Sequence, residues 1–256
     1  MNKFPILLSI PHGGRKRPIE LDEFLCINDK DLFDDSDPFV IEIYNLKDKV
    51  QTVIKTDVAR AFVDLNRSPD DLPPKNPDGV IKSSTCYQKP IYVKGKEPDK
   101  KMIEKLLQSY YFTYHNQLIQ ACQDKEVVLA LDCHSMASTA PNISPDGEHK
   151  KRPKFCISNQ EGKSCSNEIL KNLADSISKS FSIPKSDISL NEPFKGGHIT
   201  KTYGNNPIPW IQVEMNRDFY LSEEWFDAKS LKVEQKRLED LNKMFENTIE
   251  DLFTKI

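Results

Sequence analysis

Several features that would mark common functional classes are missing from this 256-residue chain. It has no G-x-G-x-x-G and no Walker-type lysine motif, so the glycine-rich cradles of nucleotide chemistry are not indicated. No Cys-x-x-Cys pair occurs among Cys26, Cys86, Cys122, Cys133, Cys156 and Cys165. A chain of this size does not need a disulfide framework, and a reducing, cytoplasmic setting is the expectation. Basic charge is not in excess: 36 Lys and Arg stand against 39 Asp and Glu, a formal net charge of -3. That balance gives no whole-molecule attraction to nucleic acid or to an anionic membrane. The apolar run Phe4 to Ile10 meets Pro11, His12 and two glycines before it could become a signal or a membrane span. It reads as a buried first strand. A hydrophobic fraction of 38% and a charged fraction of 29% describe a globular chain with a polar surface. The length suits one large domain, and a single domain over 1–256 is expected.

What is present is an alternation. Short β-branched runs at Phe4 to Ile10, Thr52 to Ile54, Ala61 to Leu65, Val127 to Leu131, Phe155 to Ile157 and Trp210 to Val213 read as buried strands. Helical spacing of apolar residues occupies Met102 to Cys122, Asn167 to Phe181 and Glu223 to Phe253. A shorter helix is expected to start at Asp37-Pro38, with Asp37 as its N-cap. Strands alternating with helices predict an α/β fold: a mixed, mainly parallel central sheet with helices on both faces. Ser68 to Lys100, dense in proline and charge, and Ser138 to Pro153, with Pro145 and the run His149 to Arg152, read as long loops. The basic run reads as a solvated turn.

Two of the five histidines share a setting. His12 follows the first strand in Ser-Ile-Pro-His-Gly-Gly, and His134 follows Val-Val-Leu-Ala-Leu in Asp-Cys-His-Ser. A lone histidine where a strand runs into a loop is usually an ordinary hydrogen-bonded residue; the pair points to a metal, and hydrolytic zinc needs about three protein ligands with one position open to water. The third ligand is left between Asp37, which competes as N-cap, and Glu42, which could be an exposed helical acid. Glu214, in Trp-Ile-Gln-Val-Glu-Met-Asn-Arg, is a costly acid to bury unless paired or functional. It is a candidate general base, or the partner of Arg217. Arg60, Asp64, Asn66 and Arg67 interrupt an apolar stretch. Their guanidinium groups suit a substrate carboxylate or an oxyanion, with a salt bridge to Asp57 or Asp64 as the plainer role. Gly196-Gly197-His198 suggests a mobile loop that carries His198 to a substrate. Ser135 lacks the G-x-S-x-G elbow of a nucleophile and reads as support for the metal ligands.

Pro11 to Gly14, Asp37 to Val40, Arg60-x-x-Val63-Asp64-x-Asn66-Arg67, Asp132 to Ser135, Gly196 to Thr200 and Glu214 to Arg217 together resemble the N-formylglutamate amidohydrolase family. That family is similar in fold and site layout to zinc carboxypeptidases and aspartoacylase-like deacylases. The resemblance implies one zinc ion on His12, Asp37 and His134, with Glu214 as base. It also implies Arg60 on the scissile carbonyl and Asn66-Arg67 on a substrate carboxylate; in the expected reaction His198 or Arg217 would assist Arg67. The chain departs from the family in having Gly13 where serine is common. The third ligand also lacks the H-x-x-E spacing of the carboxypeptidases. The expected reaction is hydrolysis of an N-acyl amino acid, a small-molecule substrate with a carboxylate. A carboxypeptidase-like hydrolase of short peptides and a non-catalytic binding protein are the alternatives.

Overall fold

The computed structural model describes residues 3–141, 147 and 150–256. Met1, Asn2 and, within the second expected loop, Pro145 and His149 lie outside the described residues. In chain order the elements are β1 (Phe4–Ile10), α1 (Asp29–Asp35), α2 (Val40–Tyr44), β2 (Val50–Lys55), α3 (Lys100–Leu106), α4 (Thr113–Cys122) and β3 (Leu129–Met136). They continue with β4 (Phe155–Ser158), α5 (Asn167–Ser180), β5 (Ile188–Leu190), α6 (His198–Tyr203), β6 (Trp210–Asn216) and α7 (Asp218–Leu221). The chain closes through β7 (Phe226–Asp227), β8 (Lys232–Val233) and α8 (Gln235–Leu252).

Six strands form one sheet in the order β2-β1-β3-β6-β4-β5, and β7 and β8 make a separate two-stranded pair. All neighbours in the large sheet run parallel except β4 and β6, which are antiparallel. Successive side chains of a strand point to opposite faces, so the central strands feed two cores. Ile6, Leu8, Leu131, Cys133, Ile211 and Val213 pack with Ile43, Tyr44, Leu173, Leu241 and Phe245 of α2, α5 and α8. Leu7, Ala130 and Trp210 pack on the other face with Leu106, Leu118 and Tyr114 of α3 and α4. Helices therefore cover both faces of a mainly parallel sheet, as the alternation predicts. Truncating a fully buried residue such as Leu8 or Leu131 to alanine costs roughly 2–5 kcal/mol in sites of this kind. No helix among the described residues is long and apolar enough to cross a membrane.

The structure differs from the sequence pattern at five places. Ala61 to Leu65 is buried but turns rather than running as a strand. Phe62 N–H donates to Ala59 O and Asp64 N–H to Val80 O, and isolated bridges, Gly14 to Ala59 and Lys16 to Val58, pair the neighbourhood with the first strand's loop. The reason is the polar spacing: Arg60 and Asp64 pair four residues apart, which extended backbone does not allow. β3 and β6 run beyond their apolar stretches to Met136 and Asn216 because ladder pairing continues there. His134 thus lies inside its strand rather than after it, and Glu214 lies within β6. The predicted helix from Glu223 begins only at Gln235, the earlier part forming the β7–β8 pair. The helix expected at Asp37 starts at Val40, with Phe39 in a left-handed conformation at φ 63°. Asp37 is thereby released from capping. The expected helix Met102 to Cys122 is continuous but carries a π-helical turn at Leu107–Phe112 between α3 and α4.

Candidate metal centre and active site

Alternation in two neighbouring strands builds most of the site. Ala130, Asp132 and His134 share one face of β3; Trp210, Gln212 and Glu214 share the same face of β6, with Asp132 opposite Gln212 and His134 opposite Glu214 in register. Each strand begins apolar on this face and becomes polar towards its carboxyl end, where open α/β sheets bind ligands. His12 stands two residues beyond the end of β1, and Asp37 follows α1, its N–H donating to His12 O at 3.1 Å. Gly14 permits the close passage of this loop: a Cβ there would sit 2.2 Å from Val58 O.

His12, Asp37 and His134 are all buried and form a group with ligand atoms within 4.8 Å of one another. His134 Nδ1 lies 3.1 Å from His12 Nδ1 and 3.2 Å from Asp37 Oδ2, and His12 Nδ1 lies 3.6 Å from the same oxygen. Tetrahedral coordination at bond lengths of about 2.0–2.1 Å separates ligand atoms by roughly 3.3–3.4 Å, so the residues fit a cation such as zinc. The far nitrogens support that orientation. His12 Nε2 is 2.8 Å from Asp64 Oδ1, and His134 Nε2 is 3.1 Å from Asp132 Oδ2. A carboxylate on the far nitrogen selects the tautomer with Nε2–H and leaves Nδ1 for a metal.

Asp37 is anchored from both sides. Its Oδ2 accepts from Ser135 N–H at 3.1 Å, and its Oδ1 accepts from Arg217 Nη2 at 3.0 Å. Burial would raise its carboxyl, but hydrogen bonds to His12 and His134 and the charge of Arg217 hold it well below the usual carboxylate range. Burial would likewise lower His134, yet Asp132, Asp37 and Glu214 outweigh it and keep the imidazole well above the ordinary histidine range. A cation at Nδ1 would replace that proton. Glu214 shows the reverse balance: burial pushes its carboxyl up to about 7 against the nearby His134, His12 and Arg60, with Asp37 adding to the rise. Gln212 Nε2 donates to Glu214 Oε1 at 2.8 Å and fixes it.

These groups border a cavity of about 440 Å³ whose lining includes His12, Asp37, Arg60, Arg67, His134 and Glu214. Arg60 Nε donates to Asp64 Oδ2 at 2.9 Å. Its two outer nitrogens have no protein partner among the described residues. The remaining candidates are placed differently from one another. Asn66 lines the cavity, but its amide is engaged: Nδ2 lies 3.1 Å from His134 Nε2 and 3.4 Å from Asp132 Oδ2, and Oδ1 accepts from Ile199 N–H at 2.7 Å. Arg217 spends all three nitrogens on protein acceptors, Nε on Ser135 Oγ, Nη1 on Asp34 O, and Nη2 on Ser36 O and Asp37. Asn66 and Arg217 thus line the cavity with these groups already in contact with protein partners beside His134 and Asp37. His198 opens α6 behind the cavity wall, beside Thr202 and His115, while Gly196 and Gly197 form the wall itself. Glu42 lies away from the group, 3.6 Å from Arg15 on the half-exposed surface.

Asp132, Asp64 and Gln212 were not singled out by sequence reasoning as supports of these groups. For two of them the signal exists: Asp132 precedes His134 by two, and Gln212 precedes Glu214 by two, the period of one strand face.

Residues 4–221 match the family model described as N-formylglutamate amidohydrolase. The chain is 26% identical over 230 residues to the N-formylglutamate deformylase of Pseudomonas putida, covering 86% of this chain and 83% of that protein. It is 25% identical over 231 residues to the enzyme of that name from Pseudomonas aeruginosa, covering 87% and 84%. The fold matches the crystal structure of N-formylglutamate amidohydrolase from Ralstonia eutropha with a TM-score of 0.79 at 17% identity, over 100% of this chain and 95% of that one.

Proposed function

The chain belongs to the N-formylglutamate amidohydrolase family, and on that premise we propose that it hydrolyses the formyl amide of N-formylglutamate, or of a close N-acyl amino acid, with one zinc ion held by His12, Asp37 and His134. The observation that carries this reading is the convergence of two histidine Nδ1 atoms and one carboxylate oxygen on a point inside the cavity that Glu214 also lines. When bound, zinc supplies Lewis acidity and a water of lowered pKa, near 7 in favourable sites.

The chain's own groups do the rest. Glu214, held by Gln212 at Oε1, accepts the water's proton as the oxygen attacks the formyl carbon, and returns it to the leaving nitrogen. The carbon–nitrogen bond breaks to give formate and the free amino group. Arg60 offers its two outer nitrogens to the developing oxyanion, while its Nε stays on Asp64. Arg67, at the cavity wall, holds a substrate carboxylate. Asp64 and Asp132 keep the two imidazoles in the tautomer that faces the metal. The contributing residues extend from His12 to Arg217, which supports reading the chain as a single domain.

The experiment is a metal analysis with an assay on N-formylglutamate, for wild type and for His134→Ala. Metal-dependent release of formate in the wild type, lost with the metal in the variant, supports the reading. Retained metal with unchanged turnover in the variant ends it.

A further inference from the structure

The segment between Arg67 and α3 has no helix and only isolated bridges, yet it is tied into the site by charge. Lys82 is fully buried, with Nζ 2.9 Å from Asp35 Oδ2 and 2.6 Å from Asp78 Oδ1. Burial works against its charge, and the two carboxylates outweigh that, so it remains an ammonium. Asp78 turns its other oxygen to Arg67, accepting from Nη2 at 2.9 Å. Asp64 Oδ2 lies 3.7 Å from Arg67 Nε. Both protein carboxylates therefore occupy the Nε–Nη2 edge of the guanidinium. Its Nη1 has no protein partner among the described residues.

We propose that Asp78, itself held by Lys82, is a positioning residue that fixes the Arg67 guanidinium so that its Nη1 end meets the substrate carboxylate. A guanidinium held along one edge presents its remaining donors in a set direction, and less side-chain freedom is lost when the ligand binds. Lys82, shared with Asp35, also offsets part of the Asp78 charge that would otherwise repel the incoming carboxylate. This inference rests on the amidohydrolase reading given above.

The test compares N-formyl-L-glutamate with its α-carboxamide counterpart in wild type, Asp78→Asn and Asp78→Glu. In Asp78→Asn, with the Lys82–Asp35 pair kept, KM for the acid should rise about tenfold with kcat little changed, and turnover of the carboxamide should stay as in wild type. Asp78→Glu keeps the charge on a longer arm, and its KM for the acid should fall between the two; it carries the test alone if Asp78→Asn does not fold. An unchanged acid-to-carboxamide ratio in the variants, a lowered KM for the acid, or an equal loss on both substrates overturns the inference. A wild type that prefers neither substrate overturns it too, whereas a wild type that hydrolyses neither counts against the amidohydrolase reading itself.

Discussion

His134 and Glu214 are register partners on the shared ladder of β3 and β6, so the candidate metal ligand and the candidate base are set side by side by a parallel pairing at the middle of the sheet. The pairing is held by the whole β3–β6 ladder, from Ala130 opposite Trp210 to Met136 opposite Asn216. A substitution at either residue therefore changes chemistry before it changes fold.

The first prediction follows from that pairing. Glu214→Gln keeps the shape and the hydrogen bond from Gln212 but cannot accept a proton. Turnover should fall by about 10²–10⁴, the usual worth of a positioned base, while metal content measured by elemental analysis stays at the wild-type level.

The same substitution tests the burial of the carboxyl. Burial raises Glu214 to about 7 in the folded, metal-free chain from an ordinary value of 4.5. A folded value above the unfolded one means that the protonated form is the stabilising one. The contribution is complete below 4.5 and is lost as pH rises through about 7. After chelation, Glu214→Gln should therefore melt progressively higher than wild type as pH goes from 4.5 to 8. A constant difference across that range would show that the carboxyl is not held in its neutral form.

Asp132 Oδ2 lies 3.1 Å from His134 Nε2 and accepts from Thr200 Oγ1 at 3.4 Å, while its Oδ1 accepts from Ser9 Oγ at 3.1 Å, so it would act on a bound metal through His134. Replacing it by asparagine should weaken zinc affinity about 10–100-fold, the range seen for carboxylates behind ligating histidines. Competition with a chelator measures this. Unaltered affinity would remove Asp132 from the site's support.

Arg217 separates two roles. If its five contacts serve Asp37, Ser135 and the Asp34–Ser36 backbone, then Arg217→Met should lower metal affinity and leave the KM of the zinc-saturated enzyme near wild type. A raised KM with full metal affinity would instead return Arg217 to the substrate carboxylate.

Much of this arrangement was legible in the chain. The order of strands and helices follows from the periods of its apolar residues, and His12, His134 and Glu214 stand out as polar residues at or near the ends of buried segments, while only the family resemblance favours Asp37 over Glu42. What was not legible depends on tertiary pairing. The extension of β3 and β6 past their apolar runs comes from the ladder between them, which no local pattern encodes. Ala61 to Leu65 has the composition of a strand and is buried, but the ion pair from Arg60 to Asp64 and the hydrogen bond to Val80 fold it into turns. Between Asp37 and Glu42, it is Asp37 that lies beside the two histidines, with the helix starting only at Val40 after the left-handed Phe39, a placement no local pattern encodes. Lys82 lies in the stretch read as a long loop dense in proline and charge, and only the packed structure shows it fully buried between Asp35 and Asp78.

The central claim is that His12, Asp37 and His134 hold a zinc ion on which amide hydrolysis depends. Its most direct measurement is zinc content alongside formate release from N-formylglutamate, before chelation, after it, and after zinc is returned. About one zinc per chain is expected, with turnover lost when the metal is removed and recovered when zinc is added. Full turnover in the chelated protein would contradict the claim.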